Sequence, residues 1–215
     1  MIEALERKRV LLGFPGAASV PHEEAIRYVI LDRREQPTTI GELDGSQSTR
    51  IQEFASALQS AGFPTSICSN MDAWLKTHAA EIVPTAAVFY MAECDIGQLQ
   101  KNKEALALMV QAIREGHRVL SAIGVPITPS SHRLFTWIPK PLLVLAIRRK
   151  LQSSEWKIKI GHAAAAQDEM DAIADDLHDL AQRASIITPA FDQLRLFLAQ
   201  ADQRPRVRSI AVIDA

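Results

Sequence analysis

The chain has 215 residues, 47% hydrophobic and 23% charged, with a formal net charge of -1. That mixture can fill the core of one large domain or one and a half ordinary ones, and the near-neutral balance excludes the basic field that a nucleic-acid partner would require. No apolar run reaches the length of a membrane span, and the charged start MIEALERKRV lacks the apolar region of a signal peptide.

The first forty-odd residues read as strands. RVLLGF (9–14) is a short apolar run ended by Pro15 and Gly16, AIRYVIL (25–31) is β-branched and aromatic, and PTTIGEL (37–43) is followed by the turn DGS. Together they predict a small antiparallel β segment over residues 1–46. The spacing then changes to a helical one. Ile51, Phe54, Ala55 and Leu58 share a face, and Gly62 ends the run. TSIC is a candidate short strand. Ser69 with Asp72 resembles a capping box, and a long helix follows from about Met71 to Met91, with a kink expected at Pro84.

KEALALMVQAIREGHRVLSAIG (103–124) is strongly amphipathic and closed by Gly124. VPITPSSHRLF is a proline-rich connection, and PLLVLAIRRKLQ (141–152) is a further helix. EWKIKIGHAAAAQDEMDAIADDLHDLAQRAS (155–185) reads as one long helix, bent near Gly161. TPAFDQLRLFLAQA (188–201) has Thr188 as N-cap and Pro189 at the first helical position. The chain therefore reads as mainly α: a β-rich segment (1–46), a helical domain (47–203) and a tail (204–215).

LLGFPGAAS (11–19) is the one stretch placed like a nucleotide-binding loop. A dinucleotide fingerprint needs G-x-G-x-x-G between a strand and a helix, because the second glycine lets the pyrophosphate approach. Phe14 and Pro15 follow the first glycine here, and no convincing helix follows, so the stretch reads as a turn between two strands.

Three other stretches could carry chemistry. In NMDAWLKTHAAEIVP (70–84), Trp74 and His78 share a helix face. Lys76 points elsewhere, either as a solvated side chain or as a tuned general acid. In SSEWKIKIGHAAAAQDEM (153–170), Glu155 sits at a helix start, favoured there by the helix dipole. His162 and Glu169 lie two turns apart, but a zinc site would want histidines at i, i+4 and a third ligand, so no metal site is expected. IRRK (147–150) is a basic patch on a helix face, able to attract a phosphate or carboxylate. Cys68 and Cys94 form no metal-ligand pattern and read as small hydrophobes in a reducing cytosol.

GFPGAAS, TTIGELDG, NMDAWLKTHAA, AIREGHRVLSAIGVPITP, GHAAAAQDEM and TPAFDQL, in that order, resemble the C-terminal two thirds of a ketopantoate reductase (2-dehydropantoate 2-reductase) family protein, from about Val10 to Leu198. The resemblance implies a helical domain like the C-terminal domain of 6-phosphogluconate dehydrogenase, preceded by the end of an NADPH-binding Rossmann domain. The family's phosphate loop would lie upstream of the residues present, so tight NADPH binding by this chain alone is not expected. The resemblance assigns Lys76, in WLK, as the group that protonates the forming hydroxyl. It assigns Glu155, ahead of Gly161, as the group that binds or orients that hydroxyl. Where the family carries substrate-binding asparagines one and two turns after the lysine, this chain has Ala80 and Pro84, and Leu143 stands where a serine is expected. The implied partners are a small 2-oxo acid and either a separate nucleotide-binding half or a second copy. The reading from another class is a non-catalytic helical module that dimerises or binds a partner.

Overall fold

The computed structural model describes residues 6–22, 25–152 and 167–201. Glu155, Gly161, His162 and the tail from 204 lie outside the described residues. The chain divides into two compact units, Met1–Lys76 and Thr77–Ala215.

The first unit is built on a sheet. Strands β1 (Leu11–Phe14), β4 (Thr38–Glu42) and β5 (Thr65–Ile67) form one sheet in the order β1-β4-β5, while β2 (Ala17–His22) and β3 (Ala25–Ile30) pair as a separate antiparallel ribbon. β1 runs antiparallel to β4, with Leu11 opposite Glu42 and Phe14 opposite Thr39. β4 runs parallel to β5, with Thr38 opposite Thr65 and Ile40 opposite Ile67. Parallel neighbours need a crossover, and α1 (Thr49–Ser60) supplies it. The β4–α1–β5 segment is therefore a βαβ unit, while within residues 1–46 both pairings, β1 with β4 and β2 with β3, are antiparallel as expected. Ile51 and Ala55 of α1 pack on Ile40, with Leu11, Leu58 and Ile67 around them. The sequence division near residue 46 follows the change of periodicity. The compact units divide instead at Lys76, because α1 buries its apolar face on this sheet.

Two local details differ from the sequence reading. Ala17–His22 forms a strand, held by pairing with β3 from Ala17 opposite Ile30 to His22 opposite Ala25. The start of α2 (Met71–Met91) is capped by Asn70, whose side chain accepts from the Ala73 amide at 3.0 Å, rather than by the expected Ser69–Asp72 box. The helix continues through Pro84 to Met91.

The second unit is helical. It comprises the remaining turns of α2, then α3 (Ile96–Lys101), α4 (Lys103–Ala122), α5 (Leu134–Trp137), α6 (Lys140–Lys150), α7 (Gln167–Arg183) and α8 (Pro189–Ala201). α4 is its centre, in contact with α3, α5, α6, α7 and α8. Leu106, Ile113 and Leu120 of α4 are fully buried. Each such side chain contributes about 1.5–3 kcal/mol of transfer free energy. Asn102 caps its start by accepting from the Ala105 amide. Gly124, at φ +75°, ends it, and the Val125 amide reaches back to the Leu120 carbonyl at 2.9 Å, a Schellman closure. α2 and α4 approach so closely that a Cβ on Gly116 would lie 2.9 Å from the Ala80 Cβ.

α8 begins at Pro189 as the sequence suggested, but its first free amides are satisfied from elsewhere. The Glu115 carboxylate, 1% exposed, accepts from the Ala190 and Phe191 amides at 2.9 and 3.0 Å. An acid at a helix N-terminus is favoured by both hydrogen bonding and the dipole, and here it comes from α4, 75 residues upstream. The Thr188 hydroxyl donates instead to Asp192.

Candidate functional site

Lys76 lies in the second turn of α2. Its ammonium is 2.6 Å from Asp72 Oδ2, one turn earlier, and both side chains are solvent-accessible, at 37% and 66%. Trp74, one turn before Thr77, packs its ring against Phe14 with centroids 5.2 Å apart. The indole thus anchors α2 while Lys76 faces water and an acid. Glu155 lies outside the described residues, so the structure brings together Lys76 and Asp72 and adds nothing on Glu155.

The positions after the lysine are engaged in packing. Ala80 is fully buried against Gly116, and Leu143 lies in the hydrophobic core. At Ala80 the residue is small because two helices meet there. An asparagine in its place would have to displace α4.

One turn further along α2 stands a cluster that the sequence reading did not single out. Glu81 Oε1 is 3.0 Å from His117 Nε2 of α4, and both Glu81 oxygens lie within 2.8 Å of His132 Nδ1. His132 belongs to a 3-10 turn, Ser130–Arg133. The Glu81 side chain is 14% exposed, His117 3% and His132 36%. Burial pushes the Glu81 carboxyl up, but the bonds from His117 and His132 outweigh it and hold it below the usual carboxylate value. The bond to Glu81 raises the His132 imidazole above its ordinary value, against a smaller opposing effect of burial. His117 Nδ1 has no hydrogen-bond partner among the described residues, and its ring meets Phe135 edge-on. A usable signal was present in the sequence: His117 falls on the apolar stripe of α4 between Ile113 and Leu120, where a polar side chain must find a buried partner.

Among the described residues no group of three or more His, Cys, Asp or Glu side chains is arranged to hold a metal ion. Glu169 is exposed at the start of α7. Arg148, in the basic patch, donates to the Gln100 carbonyl. Among the described residues no helix is long and apolar enough to cross a membrane.

The GFPGAAS loop does not fit a dinucleotide phosphate. The Gly16 amide is spent on Thr38 Oγ1 at 2.9 Å, and a Cβ at Gly16 would lie 2.5 Å from both the Gln36 carbonyl and the Thr38 amide. This glycine admits the protein's own backbone.

The family model for "ketopantoate reductase PanE/ApbA C terminal" matches residues 72–200. The chain belongs to this family. The match takes in Lys76 and nearly all of the helical unit. Among solved structures, the chain is similar to a Ralstonia solanacearum MolK2 protein assigned as a ketopantoate reductase, with TM-score 0.70, 17% identity and coverage of 94% of this chain and 58% of that one. It is also similar to a dimeric ketopantoate reductase from Staphylococcus aureus, with TM-score 0.59, 14% identity and coverage of 90% and 62%. A third likeness is to D-mandelate dehydrogenase in ternary complex with NADH and anilino(oxo)acetate, with TM-score 0.58, 11% identity and coverage of 77% and 52%. At these identities the likeness shows the fold, and the chain spans between half and two thirds of the length of each. No curated protein matches the sequence. Ketopantoate reductase family membership and the mainly helical fold accord with the resemblance in the sequence, and the scaffold is of the oxidoreductase type.

Proposed function

We propose that this chain is the substrate-binding and catalytic helical domain, with the end of the nucleotide-binding domain, of an NADPH-dependent reductase that converts a 2-oxo acid to a 2-hydroxy acid. The observation that carries the reading is the family match over residues 72–200, with Lys76 inside it. The βαβ unit of residues 38–67 supports it, because such a unit is how a nucleotide-binding sheet is built. NADPH, held by a nucleotide-binding half, would supply the hydride. The Gly16 amide of the GFPGAAS loop is taken by Thr38 Oγ1, so this loop would leave the cofactor's phosphates to the nucleotide-binding half. Lys76 Nζ donates a proton to the carbonyl oxygen as it becomes a hydroxyl and recovers one from solvent. Asp72, 2.6 Å away, keeps that ammonium in place. Glu155 accepts from the new hydroxyl and orients it. The working compartment is the cytosol, and both described cysteines are free.

The test supplies a nucleotide-binding half in fusion and follows NADPH oxidation against a panel of 2-oxo acids. Lys76→Ala is expected to lower turnover by at least about a hundredfold. The melting curve should stay nearly unchanged, because the ammonium is solvent-accessible and its pair with Asp72 is a surface one. Unchanged turnover in the variant removes Lys76 from the reaction.

A second reading has its own observation. Ala80 and Leu143 are apolar and buried where the family resemblance implies polar substrate contacts, while Leu134, Trp137 and Leu142 are exposed, Trp137 at 81%. These features favour a module that binds a partner or a second copy of itself, as the Staphylococcus aureus enzyme does in being dimeric. Light scattering separates the two. A monomer at high concentration that gains reductase activity in the fusion excludes the module reading.

A further inference from the structure

The segment 125–133 leaves α4 and lies along α2 at two adjacent turns of that helix. The Thr128 amide donates to Thr77 Oγ1 at 3.1 Å, and His132 Nδ1 meets both oxygens of Glu81. Thr77 and Glu81 are four apart and share a helix face. Thr77 is the residue after Lys76 in the chain. Ile127, buried, fixes the start of the segment. Arg114 of α4 fixes the chain beyond its end, by donating to the Phe135 and Ile138 carbonyls. Between these anchors the 3-10 turn Ser130–Arg133 contributes no buried residue. Among the described residues, its side-chain tie to the helices is the Glu81–His132 pair.

We propose that residues 128–133 form a proton-controlled strap across α2, latched by the Glu81–His132 ion pair and released as His132 loses its proton. The choice of residue types points this way. A structural ion pair that must hold at every pH uses arginine or lysine, whereas the partners that meet this carboxylate among the described residues are two imidazoles from two elements. Among the described residues, the groups facing the latch come from three elements. Glu81 stands on α2, with His78 one turn before it. α4 contributes His117, with Arg114 engaged on carbonyls and Arg118 directed to Glu115 at 3.8 Å. The strap contributes His132 and the exposed Arg133. The charges acting on Glu81 are the two histidines, and the charge acting on His132 is Glu81. Because His132 is raised above its ordinary value, the latch is fully charged below that value and is lost as pH rises through the raised one. Because Glu81 is lowered, acid opens the latch only below the ordinary carboxylate range. The strap is thus closed through weakly acidic pH and opens on the alkaline side.

Amide hydrogen exchange on the intact chain tests the strap without cofactor or substrate, so its failure is separate from failure of the reductase reading. Protection in 128–133, normalised for intrinsic exchange, should fall several-fold between about pH 6 and about pH 9, as His132 gives up its proton and the pair with Glu81 is lost. Protection in the middle of α4 should hold. In His132→Gln, which keeps a polar link but cannot titrate, protection in 128–133 should be low and flat with pH. Equal wild-type protection at both pH values overturns the proposal, as does a wild-type slope in His132→Gln. A second readout needs no variant. The His132 ring followed by NMR should titrate above the ordinary histidine value, and titration at or below it overturns the latch.

Discussion

The sheet unit withdraws one glutamate from solvent and the helical unit two, and the three carboxylates are satisfied in different ways. In the sheet unit, Glu42 on β4 is met by the Arg50 guanidinium, which donates through Nε and Nη2 to its two oxygens, and by the Ser48 hydroxyl. Arg50 also donates to the Lys8 and Val10 carbonyls. In the helical unit, Glu81 is met by two imidazoles and Glu115 by two backbone amides. The arginine solution is rigid, bidentate and charged at every working pH. The amide solution is equally insensitive on its donor side. The histidine solution alone depends on a proton. A carboxylate that only has to be buried can use any of the three, and the one that also responds to pH is the one built from histidine.

The comparison breaks first at Glu115. Glu115→Ala removes the acceptor from two buried amides at the start of α8, and we expect a loss of about 2–4 kcal/mol in chemical denaturation. A loss below about 0.5 kcal/mol would mean that water reaches those amides and that α8 docks by its apolar face alone. Next comes the approach of α2 to α4, which places Glu81 beside His117. Gly116→Ala should cost about 1–3 kcal/mol by overpacking against Ala80, read as a lowered Tm. An unchanged Tm would show that the helices can part.

The pH dependence sharpens the contrast between the units. Glu42 is held below its ordinary value by its bond from Arg50, then by Ser48, so its stabilisation is present above the usual carboxylate range and is lost only as pH falls through the lowered value. Melting followed by a probe in the sheet unit should therefore lose stability on the acid side alone from this pair. The helical unit should also lose stability on the alkaline side as His132 deprotonates. Parallel pH profiles for the two units would erase the distinction. The smallest effect is expected at Arg50→Lys, which keeps the charge but gives up the two-pronged contact. It should lower stability slightly, leave the acid-side profile in place, and be measurable by differential scanning fluorimetry.

Parts of this molecule were legible in order of residues. The amphipathic run of 103–124 became α4 with Gly124 as its stop, and the apolar runs at 9–14, 25–31 and 37–43 became β1, β3 and β4. These segments carry their signal locally, in a period of hydrophobicity and a glycine or proline at the end. β2 was not legible, because AASVPH has no alternation and forms only where β3 offers a ladder. The parallel pairing of β4 with β5 escaped for the same reason. A three-residue strand has no period, and direction is set by the crossover through α1. Of the candidate site, Lys76 was reachable through its WLK context. Of the Glu81 cluster, His117 left a signal on the apolar stripe of α4, but its partners could not be read, because Glu81 stands 36 and 51 residues from the two histidines.

The sequence by itself determined the helical class, the turn character of GFPGAAS and the family resemblance, because each rests on residues near one another or on motifs in order. Only the tertiary structure decided which side chains meet. It gave α8 its cap from α4, set Ala80 against Gly116, and enclosed one carboxylate between two histidines. Those choices depend on where helices cross. Crossing points are fixed by the packing of whole faces, which no local stretch of residues records.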